Sequence, residues 1–117
     1  MQIVCVIDDE ASIRKGLTNL LRSAGYLAVG FGCGESFLAS PWRHRAACVL
    51  LDLQLPGLQG DEVLGALKTE IPVICLSAQA NDQQIAACIA QGASFLAKPC
   101  SGDTLLNTIA SCLEAHS

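Results

Sequence analysis

Two adjacent aspartates, Asp8 and Asp9, follow the apolar run IVCVI, and a third, Asp52, follows ACVLL. A hydroxyl, Ser77, follows PVICL, and an ammonium, Lys98, ends SFLAK just before Pro99. One polar residue at the end of an apolar run is ordinary, because loops start there. Three carboxylates, a hydroxyl and a lysine at the ends of four such runs ask for a common cause. If the run-ends meet, the carboxylates repel one another and resist ionisation unless a cation intervenes. Lys98 is one candidate cation and a hard divalent ion is the other. Mg²⁺ takes oxygen ligands and binds through one or two carboxylates plus a phosphoryl oxygen, which suits this donor set better than an all-protein calcium cage. With a metal, Lys98 and Ser77 each holding one equatorial oxygen, a carboxylate is equipped to attack phosphorus and form an aspartyl phosphate. Asp52 is assigned that role because it stands alone at its run-end, whereas Asp8 and Asp9 come as a metal-binding pair.

The elements that must position these groups are legible as an alternation. IVCVI (3–7), LAVGF (27–31), ACVLL (47–51), PVICL (72–76) and SFLAK (94–98) are short, rich in Val, Ile, Leu or Phe, and bounded by polar or turn residues, as strands are. Between the first two, Ile13, Leu17, Leu20, Leu21 and Ala24 recur at helical spacing, which predicts a helix over 10–24 with Gly25 as its stop. A short helix is predicted from Glu35 to about Ala39, halted by Pro41. Val63, Leu64 and Leu67 mark a third. Ile85, Cys88 and Ile89 mark a fourth, capped by Asn81 or Asp82. The fifth starts at Ser101, with Asp103 in its first turn, and buries Leu105, Leu106, Ile109, Cys112 and Leu113. Five strands alternating with five helices predict an α/β fold with one doubly wound parallel sheet covered on both faces. In such sheets ligands collect outside the carboxyl ends of the strands, where the polar residues above lie.

At 117 residues, with 51% hydrophobic and 15% charged residues, the chain is expected to form a single domain over 1–117. The net charge of −4 offers no electrostatic footprint for a polyanion, so no direct nucleic-acid binding is expected of this domain. No apolar run approaches a membrane span and the N-terminus lacks a basic leader region, so a cytoplasmic location without membrane contact is expected. The seven cysteines have no C-x-x-C spacing and sit mostly in apolar segments, as reduced core thiols do. A zinc set from Cys33, His44 and Cys48 lacks a fourth ligand and a recognisable frame. SPWRHRA (40–46) is the one basic cluster and is read as a solvated loop with an exposed Trp42. Arg14 is expected beside the acidic site, without a catalytic role.

The ordered set VIDDE, LLDLQLPGLQG, LSA and FLAKP resembles the signature of the receiver domain of two-component response regulators, over Gln2 to about Ala115. The resemblance implies a flavodoxin-like sheet of order 2-1-3-4-5. It implies Asp52 as phosphoacceptor, Asp9 and Asp52 as direct magnesium ligands, Asp8 as a ligand through water, and the main-chain carbonyl of Gln54 as a further ligand. Ser77 and Lys98 would grip the phosphoryl group, and the Lys98–Pro99 peptide would be cis. Ser77 and Phe95 would form the switch, with Phe95 buried for much of the time because, unlike the tyrosine common in the family, it has no phenol to bond. By the same resemblance Gln54 and Gln79 would occupy positions that tune phosphoryl lifetime. Cys100 departs from a common aromatic and is read as ordinary packing. The implied partner is a sensor histidine kinase.

The stretch ASIRKGLTNLLRSAGYLAVGFGCGESFL is similar to FixJ/NarL-type regulators, whose receiver precedes a helix-turn-helix output domain. The segment NDQQIAACIAQG has one charge and residues 101–117 contain no Lys or Arg, which disfavours a homodimer built on charge pairs there. An apolar homodimer contact on phosphorylation would use Ala87, Ala90 or Leu105. The chain is thus expected to be a signalling module, catalysing only its own phosphotransfer and dephosphorylation, in a transcription regulator. The alternatives are a stand-alone receiver in a phosphorelay and a magnesium-dependent small phosphatase. For the phosphatase, the D-x-D at the first strand that the haloacid dehalogenase-like enzymes carry is absent. A flavodoxin is disfavoured because DDEAS would repel a phosphate.

Overall fold

Apolar side chains at successive positions of a strand point to opposite faces, so a run such as VCVI needs cover on both sides. The computed structural model, which describes residues 2–53, 65, 71–79 and 81–115, meets that requirement. Strands β1 (Ile3–Ile7), β2 (Leu27–Phe31), β3 (Cys48–Asp52), β4 (Val73–Ser77) and β5 (Ser94–Ala97) form one parallel sheet of order β2-β1-β3-β4-β5. Among the described residues the α-helices are α1 (Ala11–Ser23), α2 (Gly34–Leu38), α3 (Asp82–Ala90) and α4 (Gly102–Ala115). The helix expected around Val63, Leu64 and Leu67 lies outside the described residues.

Alternation along the strands divides the core in two. Cys5, Ile7, Val49, Leu51, Val73 and Cys75 face one side, where they pack with Phe37 of α2 and Cys88 of α3. Val4, Val6, Cys48, Leu50, Ile74 and Leu76 face the other, against Leu21 of α1 and Leu105, Ile109 and Leu113 of α4. Each fully buried aliphatic side chain contributes about 1.5–3 kcal/mol relative to exposure, so the central strands β1, β3 and β4 form the most firmly held part of the molecule. Those strands carry Asp8, Asp52 and Ser77 at their carboxyl ends.

Helix ends follow the local chemistry. Gly25, at φ +94°, lets the chain turn out of α1, and the Tyr26 N–H donates back to the Leu21 carbonyl at 3.1 Å. The Asn81 side chain accepts from Gln84 N–H at 2.8 Å while the Gln84 side chain accepts from Asn81 N–H at 3.0 Å, closing a capping box on α3. Ser101 Oγ accepts from Thr104 N–H at 3.1 Å at the start of α4.

Several expectations are corrected. Residues Pro41–His44 form a 3₁₀ turn, and Trp42 is half-buried against the α2/α3 side of the core instead of standing in a solvated loop. Pro41 supplies the fixed φ at the turn's first position, and the indole fills space below α2. Of Ile85, Cys88 and Ile89, whose spacing marks this helix, Ile89 is 59% exposed, because α3 is only nine residues long and turns just Cys88 fully inward. Leu106 and Cys112 are half-buried. Leu105 is 1% exposed and is therefore unavailable for contact with a partner.

All seven cysteines are free. Burial pushes the Cys5 thiol up to about 12 and, with the nearby Cys112, does the same to Cys48. Cys75 is raised further by burial and by its neighbour Cys88. Cys33 goes the other way: hydrogen bonding to Ser36, whose Oγ lies 3.1 Å from its sulfur, lowers it. Because the thiolate is the reactive form, brief treatment of native protein with iodoacetamide near pH 8 is expected to label Cys33 while Cys5, Cys48 and Cys75 stay unmodified, as read by peptide mass mapping. Labelling of those three at a comparable rate would show that the core opens far more often than its packing implies.

Candidate functional site

The parallel register brings the polar strand ends to one edge. Ile7 pairs with Phe31 and with Leu51, Asp52 with Leu76, and Ser77 with Ala97, so Asp8, Asp52, Ser77 and Lys98 leave the sheet side by side. Asp8, Asp9 and Asp52 each offer an oxygen, and these atoms all lie within 4.8 Å of one another. Asp8 and Asp52 are buried, at 1% and 5% exposure, while Asp9 faces solvent.

Asp8 is held from several directions. Its N–H donates to the Phe31 carbonyl at 3.0 Å, its Oδ1 accepts from Glu10 N–H at 2.9 Å, and its main-chain carbonyl accepts from Arg14 Nη1 at 2.6 Å. Lys98 Nζ donates to Asp8 Oδ2 at 2.9 Å and lies 3.6 Å from Asp52 Oδ2. The ammonium thus leans toward Asp8, and Asp52 is the looser partner. Burial alone would lower the Lys98 pKa, but the hydrogen bond to Asp8 and the charges of Asp52 and Asp8 outweigh it and hold the group above its ordinary value. The Lys98–Pro99 peptide is cis, as the sequence resemblance implied.

Ser77 is 2% exposed, and its Oγ accepts from Gln79 N–H at 3.1 Å. A cleft of about 480 Å³ opens over the site, with Asp9, Asp52, Gln79 and Lys98 on its wall. Asp8, buried, does not line it. Phe95 is half-buried against the α2/α3 side of the core, intermediate between fully buried and solvent-facing. Cys100 is half-buried against the opposite side, in ordinary packing. Of the expected site residues, Gln54 lies outside the described residues. Cys33, His44 and Cys48 form no metal-ligand group among the described residues, where the aspartate trio is the one such set.

The donor set is three carboxylate oxygens and no nitrogen or sulfur, a combination that suits a hard cation. An edge of a doubly wound sheet that gathers buried carboxylates, a lysine and a hydroxyl is where α/β domains of this topology collect ligands. The family model of the response regulator receiver domain matches residues 4–110, and the chain belongs to that family. It is a receiver domain of two-component response regulators.

Relatives agree. Nodulation protein W of Bradyrhizobium diazoefficiens is 34% identical over 116 residues, covering 96% of this chain and 51% of that protein. The DNA-binding response regulator MtrA of Mycobacterium tuberculosis is 33% identical over 101 residues, covering 84% of this chain and 44% of its own length. The crystal structure of a response regulator receiver protein from Burkholderia phymatum superposes with a TM-score of 0.85 at 34% identity, covering 97% of this chain and 96% of that one. The chain spans about half the length of the curated relatives it matches. No helix among the described residues is long and apolar enough to cross a membrane.

Proposed function

We propose that residues 1–117 form a receiver unit in which Asp52 accepts a phosphoryl group from a sensor histidine kinase, in the cytoplasm. The observation that carries the reading is a buried carboxylate, Asp52, whose oxygen lies 3.6 Å from the Lys98 ammonium, within a trio of carboxylates closer than 4.8 Å. An Asp52 oxygen attacks phosphorus, and the bond from phosphorus to the donor's leaving group breaks. Lys98 and the Ser77 hydroxyl take up negative charge on the transferring group. Asp8, Asp9 and Asp52, with the Gln54 carbonyl, would hold Mg²⁺, which supplies neutralisation of the phosphoryl charge among the carboxylates. Gln79, on the cleft wall, would help orient an attacking water for dephosphorylation. Ser77, the last residue of β4, and Phe95, within β5, would form the switch: a move of the hydroxyl toward a phosphoryl oxygen frees space for the ring.

The output is read as transcription control through a helix-turn-helix domain of the FixJ/NarL type. Support comes from the first-helix similarity and from the scarcity of charge on α3, where Asp82 is the one charged residue, and on α4, which has no Lys or Arg. A homodimer formed on phosphorylation would use the exposed Ala87, Ala90 and Ile89. The function is tested by incubating the protein with Mg²⁺ and acetyl phosphate and measuring intact mass. One acid-labile phosphoryl group is expected, mapping to Asp52 and absent from Asp52→Asn. A stable or doubly labelled product would sink the reading, and sustained turnover of phosphate esters would replace it with a phosphatase.

A further inference from the structure

Gly30 is the fourth of the five residues of β2, opposite Val6, where a β-branched residue would be favoured and glycine weakens the strand. The cause is a close approach. A Cβ at position 30 would stand 3.0 Å from both Cγ and Cδ of Arg14, and one at position 32 would stand 3.6 Å from Arg14 Nη1. The Arg14 side chain, rising from the first turn of α1, lies flat across the end of β2 and delivers its guanidinium to the Asp8 carbonyl at 2.6 Å. It forms no ion pair with the acidic trio among the described residues and does not line the cleft.

We infer that Arg14 is a positioning residue for the cation site: it fixes the Asp8–Asp9 peptide through the Asp8 carbonyl, and Gly30 exists to give its stem room. That carbonyl belongs to the peptide unit joining the two adjacent aspartates, so holding it fixes the direction from which both carboxylates approach the site. The other anchors act elsewhere on Asp8, the Phe31 carbonyl on its N–H and Glu10 N–H on its carboxylate. Without Arg14 the β1–α1 turn keeps its ends but loses the constraint at its centre.

The inference rests on the metal-binding part of the proposed function, and the sign of the effect separates it from simple electrostatics. Deleting a cation near three carboxylates would tighten Mg²⁺ binding by Coulomb attraction. Deleting a positioning residue should weaken it, by about tenfold or more, as losing a group that orients a metal ligand does. Isothermal titration with Mg²⁺ on the wild type, Arg14→Ala, Gly30→Ala and the double variant provides the test, with thermal melting to confirm folding. Arg14→Ala and Gly30→Ala are each expected to weaken binding, and the double variant to be no worse than Arg14→Ala, because the clash disappears with the stem. Faster amide exchange at Glu10, whose N–H bonds to Asp8 Oδ1, is expected in both single variants without any metal. Unchanged or tighter binding in Arg14→Ala overturns the inference, as does a Gly30→Ala loss that persists undiminished in the Arg14→Ala background. If the wild type itself binds no Mg²⁺, the metal reading fails, and Glu10 exchange then decides the positioning role alone.

Discussion

Lys98→Met is expected to slow phosphoryl acquisition from acetyl phosphate by about 10²–10³-fold, the usual loss for one donor aimed at developing charge, while tightening Mg²⁺ binding. The two effects part because the ammonium does two things. It bonds Asp8 at 2.9 Å and sits 3.6 Å from Asp52, which makes it the internal counterion of the trio. An added cation must share those carboxylates with it. Two unit charges about 4 Å apart exert ~4 kcal/mol at an effective dielectric of 20. Relief of even a third of that repulsion is about tenfold in affinity. Without metal the variant should also be less stable, since the buried Asp8 loses its counterion and, among the described residues, keeps only the Glu10 N–H on its carboxylate. Removing one member of a fully buried pair costs about 3–5 kcal/mol, but Lys98 is part-exposed and solvent screens it, so about 1–2 kcal/mol is expected. Saturating Mg²⁺ should recover most of that loss. Calorimetric melting with and without the ion, beside a titration and a phosphorylation time course, reads all three quantities. Weaker Mg²⁺ binding in Lys98→Met would show that the lysine organises the carboxylates and does not compete for them.

The same pairing fixes a pH dependence. Lys98 has its folded pKa raised, so the stability it contributes is fully present below the unfolded lysine value and is lost as pH rises through the higher folded value. That window is alkaline, above pH ~10. Across neutral pH the Asp8–Lys98 contact is intact.

Strand positions were legible because a parallel sheet covered on both faces writes itself as continuous apolar runs, and β1 and β2 begin and end where the runs do. Sheet order came from the four motifs taken together, since nothing in the individual runs says which strands are neighbours. The failures share one origin. Burial depends on which way a short element faces: α3 turns only Cys88 fully inward, and a 3₁₀ turn carries Trp42 out of its polar loop onto the core. In the sequence Arg14 is a charge near the acidic site and Gly30 is one residue of the second apolar run. Their relation is a contact between a helix and a strand, which no local pattern encodes. The signal available was a glycine inside the strand, one residue short of its end, where a side chain would otherwise pack.

Phe37→Ala is expected to have the largest effect on stability. Phe37 is fully buried, and its ring meets Phe31 edge-on, with centroids 5.4 Å apart at 72°. Truncating a buried phenylalanine costs about 3–5 kcal/mol, including the ~0.5–1.5 kcal/mol of an aromatic pair. Against a typical total of about 5–15 kcal/mol that is a large fraction, and the melting temperature should fall by roughly 10–20 °C. Phe37→Leu, which keeps most of the volume and loses the edge contact, should cost about 1–1.5 kcal/mol. The consequence reaches the site, because the Phe31 carbonyl accepts the Asp8 N–H at 3.0 Å. A cavity under Phe31 loosens the end of β2 and, through that bond, the first aspartate. Phe37→Ala should therefore bind Mg²⁺ more weakly even well below its own melting temperature, whereas Phe37→Leu should bind it nearly as wild type. Equal affinity in folded Phe37→Ala would mean that β1 alone, packed on both faces, suffices to hold Asp8 in place.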